Sequence, residues 1–117
     1  MKKGILIDTK NRMIREVEIE SKNGSELDSI YKHLECDLVD VVHHMGHDVY
    51  VDDEGLFKIT DDSTFFLLEG YPQPLHGNGL MLGLNRETGE SVSCKLNVED
   101  VSETVRFLTL DEVRNLV

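Results

Sequence analysis

The chain has 117 residues, 39% hydrophobic and 30% charged, and its 23 acidic against 12 basic side chains give a formal net charge of −11 at neutral pH. A domain of this size buries somewhat over about 60% of its unfolded surface and folds without disulfide or metal. The basic residues are too scattered for a phosphate-binding face, which argues against direct nucleic-acid binding, and no apolar run has the length of a membrane span or a signal-peptide core.

Lys3 to Asp8 and Met13 to Glu20 read as strands joined through Thr9-Lys10-Asn11-Arg12 as a hairpin, with Met13, Val17 and Ile19 on one face and Glu16, Glu18 and Glu20 on the other. After the turn residues 21–24, Ser25 reads as the N-cap of a helix, Asp28 taking the capping-box position and Leu27, Ile30, Tyr31 and Leu34 forming an apolar stripe. Leu38 to His44 reads as a central strand that turns through residues 45–48 into Val49 to Asp52. Asp53-Glu54-Gly55 is an acidic tight turn, with Gly55 expected at positive φ. Strands follow at Leu56 to Thr60 and Thr64 to Glu69, the Phe65-Phe66-Leu67-Leu68 run being core. Leu80 to Asn85 and Ser91 to Leu96 form another hairpin, with Val92, Cys94 and Leu96 inward. From Val98 a short helix and a strand near Val105 to Leu108 are preferred over one long helix. Thr109 and Glu112 then form a capping box, and Leu110, Val113, Leu116 and Val117 are the expected inward face of the terminal helix. The fold class is α+β: a mainly antiparallel sheet, one central helix packed on it and a short C-terminal helix, in a single domain over 1–117.

Most constellations that carry chemistry fail on spacing. His33, Cys36, His43, His44 and His47 are the residue types of a zinc site, but His43 and His44 are neighbours on a strand and face opposite ways, so the expectation is hairpin-surface histidines and no metal. Asp52-Asp53-Glu54-Gly55 lacks the ligand periodicity of a calcium loop. Gly77, Gly79 and Gly83 miss the dinucleotide fingerprint, since Leu82 holds its last position, and no lysine makes the segment a P-loop. Cys94 lies on an apolar face, Cys36 follows a helix, and no nucleophile elbow exists. The chain is therefore expected to be no enzyme and to carry no cofactor. With no export signal, its cysteines are expected to stay reduced in the cytoplasm.

Residues 70–83 hold both prolines and four of the nine glycines. Proline fixes φ and glycine reaches conformations closed to other residues, so this loop has a definite shape. Asn78-Gly79 reads as a tight-turn pair. The loop is either a rigid closure of one sheet end or a recognition surface in which Tyr71, Gln73, His76 and Asn78 meet a partner or ligand, assisted by Asp52, Asp53 and Glu54. The acidity is either a solvating surface or an imitation of nucleic acid.

Four segments carry a resemblance: Gly4 to Asp8, Ile30-Tyr31-Lys32-His33-Leu34-Glu35-Cys36, Val51-Asp52-Asp53-Glu54-Gly55-Leu56, and Gly70 to Leu80. Together they resemble a family of small uncharacterised proteins, a domain of unknown function, encoded by tailed bacteriophages and prophages. The resemblance implies no catalytic residues. It does imply a small non-enzymatic phage protein that binds a host protein or sequesters a signalling molecule. The expected function is therefore an accessory protein that binds and modulates a host macromolecule, a host-defence component among the options, through an acidic surface and the 70–83 loop. The alternative is a small-ligand binder such as a nucleotide sponge, its pocket between this loop and a neighbouring subunit.

Overall fold

The computed structural model describes residues 1–116. In chain order the elements are β1 (Lys2–Asp8), β2 (Met13–Ile19), α1 (Leu27–Leu34), β3 (Val39–His44), β4 (His47–Asp52), a 3-10 turn (Gly55–Lys58), β5 (Thr64–Leu68), β6 (Leu75–His76), β7 (Gly79–Leu84), β8 (Ser91–Val92), α2 (Val98–Ser102), β9 (Val105–Thr109) and α3 (Leu110–Arg114). The larger sheet runs β2-β1-β7-β4-β3 with β8 added on β7, and a second sheet runs β6-β5-β9. Every pairing is antiparallel.

Alternation along β1, β4 and β7 sends successive side chains to opposite faces. Ile5, Ile7, Val49, Val51 and Met81 meet Phe66 and Leu68 of the second sheet, together with Cys94 and Val101. Leu6, Ile19, Leu80 and Leu82 pack instead with Ile30 and Leu34 of α1 and with Cys36. The larger sheet is thus covered on both faces, which is why β1 and β7 read as unbroken apolar runs. The capping box of Thr109 and Glu112 is present, with both bonds made, and a second one joins Asn97 and Asp100 at the start of α2.

Several expectations need correction. Helix α1 starts later than Ser25. The Ser25 backbone exchanges two hydrogen bonds with Lys22 across a tight turn in which Asn23 and Gly24 have positive φ, so Glu26 takes the N-cap place without a side-chain cap. Leu27 is exposed and does not join the stripe. Strand β3 lies at an edge, not the centre: Asp40 and His43 face solvent, and outward charged groups suit a strand with one free side. Its turn into β4 is tighter than four residues, with Met45 and Gly46 both at positive φ and His44 directly opposite His47.

The segment expected as a strand over Leu56 to Thr60 is instead the 3-10 turn, and Gly55 does not have positive φ. Asn78-Gly79 is not a turn pair either. The positive φ belongs to Gly77, while Gly79 is the first residue of β7, and a Cβ there would stand 2.6 Å from Phe66 Cζ. Only Ser91–Val92 of the last hairpin partner is strand. In α3, Leu110 and Val113 are half-buried and Leu116 is exposed; Val117 lies outside the described residues.

Candidate functional site

The 70–83 loop is anchored by two of its own polar side chains, His76 and Asn78. Asn78 Oδ1 accepts from the Thr9 backbone N–H at 3.0 Å and from the Thr9 hydroxyl at 3.1 Å, and Thr9 is fully buried with its hydroxyl also 2.7 Å from that of Thr64. Asn78 therefore closes the β1–β2 connection and has no acceptor left for a partner at that atom. Asn78→Ala strands a buried N–H and is expected to remove about 1–3 kcal/mol of stability. Urea titrations of the two proteins test this; equal midpoints would mean that the Thr9 bonds contribute nothing.

His76 sits on β6 opposite Phe65, the two rings 5.2 Å apart. Its Nε2 lies 3.0 Å from Ser63 Oγ, while Nδ1 is buried against Gly55 and makes no hydrogen bond of ordinary geometry. Burial pushes the His76 pKa below the usual value, with nearby Asp52 and the Gly55 backbone pulling the other way. Ser63 Oγ also accepts from the Thr60 N–H at 2.7 Å. The Ser63–His76 contact therefore ties the chain between β5 and the 3-10 turn to the 70–83 loop.

Asp52 ends β4 and performs two tasks: Oδ1 accepts from the Glu54 N–H at 2.9 Å, and Oδ2 pairs with Lys58 Nζ at 2.7 Å. That bond raises the Lys58 pKa. The Asp53 N–H donates to the Leu38 carbonyl, and the Phe57 N–H to that of Glu54. The backbone of 52–63 is thereby fastened at Leu38, Asp52, Ser63 and His76. Asp53, Glu54, Asp61 and Asp62 stay exposed and, among the described residues, form no ion pair. Leu56 and Phe57 point outward with 73% and 89% of their surface exposed, and Ile59 follows at 39%. An exposed phenylalanine forgoes the roughly 1.5–3 kcal/mol that burial contributes.

At the foot of this turn a cleft of about 330 Å³ is lined by Thr9, Lys10, Glu35, Asp52, Lys58, Asp62, Ser63, His76 and Asn78, among others. Of the residues expected to form a site, Asp52, His76 and Asn78 converge there, and Asp53 and Glu54 stand on the turn above it. Tyr71 does not join them: it is half-buried against the core, in a separate hollow with Leu67 and Glu103. Gln73 is exposed and lines neither. Sequence reasoning missed Lys58, Ser63, Leu56 and Phe57. A signal was available for the last two, since they interrupt an acidic segment without strand alternation.

The histidines expected on the hairpin surface are split. His43 is exposed beside Asp48, whereas His44 and His47 are buried. His44 Nε2 lies 2.9 Å from Thr104 Oγ1, and His47 accepts from the Lys95 N–H at Nε2 while donating from Nδ1 to the Met45 carbonyl. Among the described residues no group of three or more His, Cys, Asp or Glu side chains is placed to hold a metal ion, and no helix is long and apolar enough to cross a membrane.

Burial holds the pKa of His44, like that of His76, below the ordinary value of 6.5, with Glu69 opposing it and His47 adding to it. Below that pH the unfolded chain binds more protons than the folded one, so stability is fully present above about pH 6.5 and declines as the pH falls toward the folded values. The melting temperature is expected to fall as the pH is lowered from about 6.5, and a His44→Gln/His76→Gln variant should show a flatter profile. Parallel profiles would remove these two groups as the cause.

Fold and site together define a mainly antiparallel α+β protein whose most exposed large apolar side chain among the described residues, Phe57, sits on a braced acidic turn. The chain belongs to the family described as Domain of unknown function (DUF3846), whose model matches residues 1–106. No curated protein and no solved structure matches it.

Proposed function

We propose that this chain is a non-enzymatic accessory protein of phage or prophage origin that binds and modulates a macromolecule of the bacterial host, a defence component being the leading class. It acts in the host cytoplasm through the acidic 52–63 turn. The 70–83 loop serves that turn as a brace. The observation that carries this reading is the division of labour between backbone and side chains: the main chain of the turn is bonded down while Asp53, Glu54, Asp61 and Asp62 form no ion pair among the described residues and stand in solvent. Unpaired carboxylates on a fixed backbone offer an oriented negative field to a basic partner at little ordering cost.

The Ser63–His76 contact has the spacing of a nucleophile and its base, but the supporting geometry favours a structural tie. Ser63 Oγ already accepts the Thr60 N–H, and no carboxylate accepts from His76 Nδ1 among the described residues. A second reading, a binding site for a small ligand such as a nucleotide, draws on the 330 Å³ cleft and its two lysines. It ranks lower because Lys58 is already paired with Asp52.

The test compares capture from a bacterial lysate at low and high salt by the wild-type protein and by Asp53→Asn/Glu54→Gln/Asp61→Asn/Asp62→Asn. A partner retained at low salt, released at high salt and lost by the variant is the expected result. Capture indifferent to salt and to the four substitutions would overturn the reading. A melting temperature raised by added nucleotide would transfer the assignment to the cleft.

A further inference from the structure

We infer that Phe57, with Leu56 beside it, is the anchor of this interaction, and that the partner is a protein presenting an apolar pocket rimmed by Lys and Arg. The inference rests on the binding role proposed above and names the chemistry of its partner.

Phe57 is 89% exposed, the largest exposure among the large apolar side chains of the described residues. Its position is nevertheless fixed. The turn that carries it is held by Phe57 N–H to Glu54 at 3.0 Å, by Lys58 to Asp52 at 2.7 Å and by Gly55, which lies buried against the His76 ring. An aromatic side chain on an immobilised backbone loses little freedom on docking, and such residues dominate the energetics of protein interfaces when they enter a desolvated pocket.

The surroundings select the occupant. Asp53 and Glu54 precede the pair, Asp61 and Asp62 follow it, and the one lysine of the segment is neutralised by Asp52. An anionic bilayer or a nucleic acid would be repelled by these carboxylates. A second copy of the chain would bring another net charge of −11 to the contact. A protein pocket with an apolar floor and a basic rim satisfies both the ring and the charges.

The experiment uses the full chain in three forms: wild type, Phe57→Ser and Leu56→Ser/Phe57→Ser. Because both side chains are mostly exposed, melting temperatures are expected to match or exceed that of the wild type. The protein captured by the wild type from a bacterial lysate is identified and purified, and its Kd is measured against each form. Phe57→Ser should weaken binding by about 30-fold or more, the scale of an interface hot spot. An equal Kd for all three forms overturns this inference while leaving the carboxylate-dependent reading in place. A wild type that retains no salt-sensitive partner overturns both. Phe57-dependent sedimentation with phosphatidylglycerol-containing vesicles, or a Phe57-dependent dimer in size-exclusion chromatography, replaces the protein pocket by a membrane or by self-association.

Discussion

Phe66→Ala is expected to remove about 3–5 kcal/mol of stability, a large part of the roughly 5–15 kcal/mol that holds a domain of this kind together. Phe66 is the largest of the fully buried side chains, and it lies where the two sheets meet, in one cluster with Ile5, Ile7, Val49, Val51 and Met81. Ile5, Ile7, Val49 and Met81 are strand residues paired on both sides, so they cannot collapse into the space the ring leaves. Partial relaxation is the condition under which the cavity adds most to the transfer term. Chemical denaturation followed by circular dichroism gives the difference directly. A loss below about 1 kcal/mol would mean that the sheets do not pack as described.

Gly79→Ala probes the same place from the other side, with an expected loss of about 1–3 kcal/mol from overpacking. The added methyl would stand 2.6 Å from Phe66 Cζ and 3.2 Å from Val49 Cγ1. Gly79 is paired with Ile7, which limits any backbone retreat. Shortening the ring should therefore relieve the clash, and Phe66→Leu/Gly79→Ala is expected to be more stable than the sum of the two single losses predicts. A double-mutant cycle measures this coupling, expected at about 0.5–3 kcal/mol. Strict additivity would place the destabilisation somewhere other than the Phe66–Gly79 contact.

Much of the framework was legible because local signals and tertiary demands agree there. The Thr9 to Arg12 connection, the helix with Ile30 and Leu34 inward, the buried Phe65-Phe66 run and the Thr109 capping box all follow from spacing and turn chemistry. The failures have a shared cause in contacts between distant residues. Nothing local tells Leu38 to His44 that only β4 will pair with it, so a β-branched run looked central. Asn78 resembles a recognition residue by type, and it becomes a structural one only because Thr9, far away in sequence, comes to lie beneath it. His44 and His47 are buried for a similar reason, meeting Thr104 and Lys95. Of the residues singled out from the sequence, Asp52, His76 and Asn78 line one cleft. The exposed Phe57 was missed because a strand over Leu56 to Thr60 would have hidden it.

The pairing of β1 with β7 also bears on how the chain is made. Ile7 faces Gly79, so β1 leaves the ribosome some seventy residues before its second neighbour exists, roughly by the separation of Ile7 and Gly79 in sequence. At about 5–20 residues per second the delay is on the order of ten seconds. Until then β2 is the only strand paired with Ile5, Leu6 and Ile7, which leaves one edge of β1 open to chaperones. The final zipper-like closure spans a long loop, so refolding in vitro is expected to take milliseconds to seconds rather than microseconds.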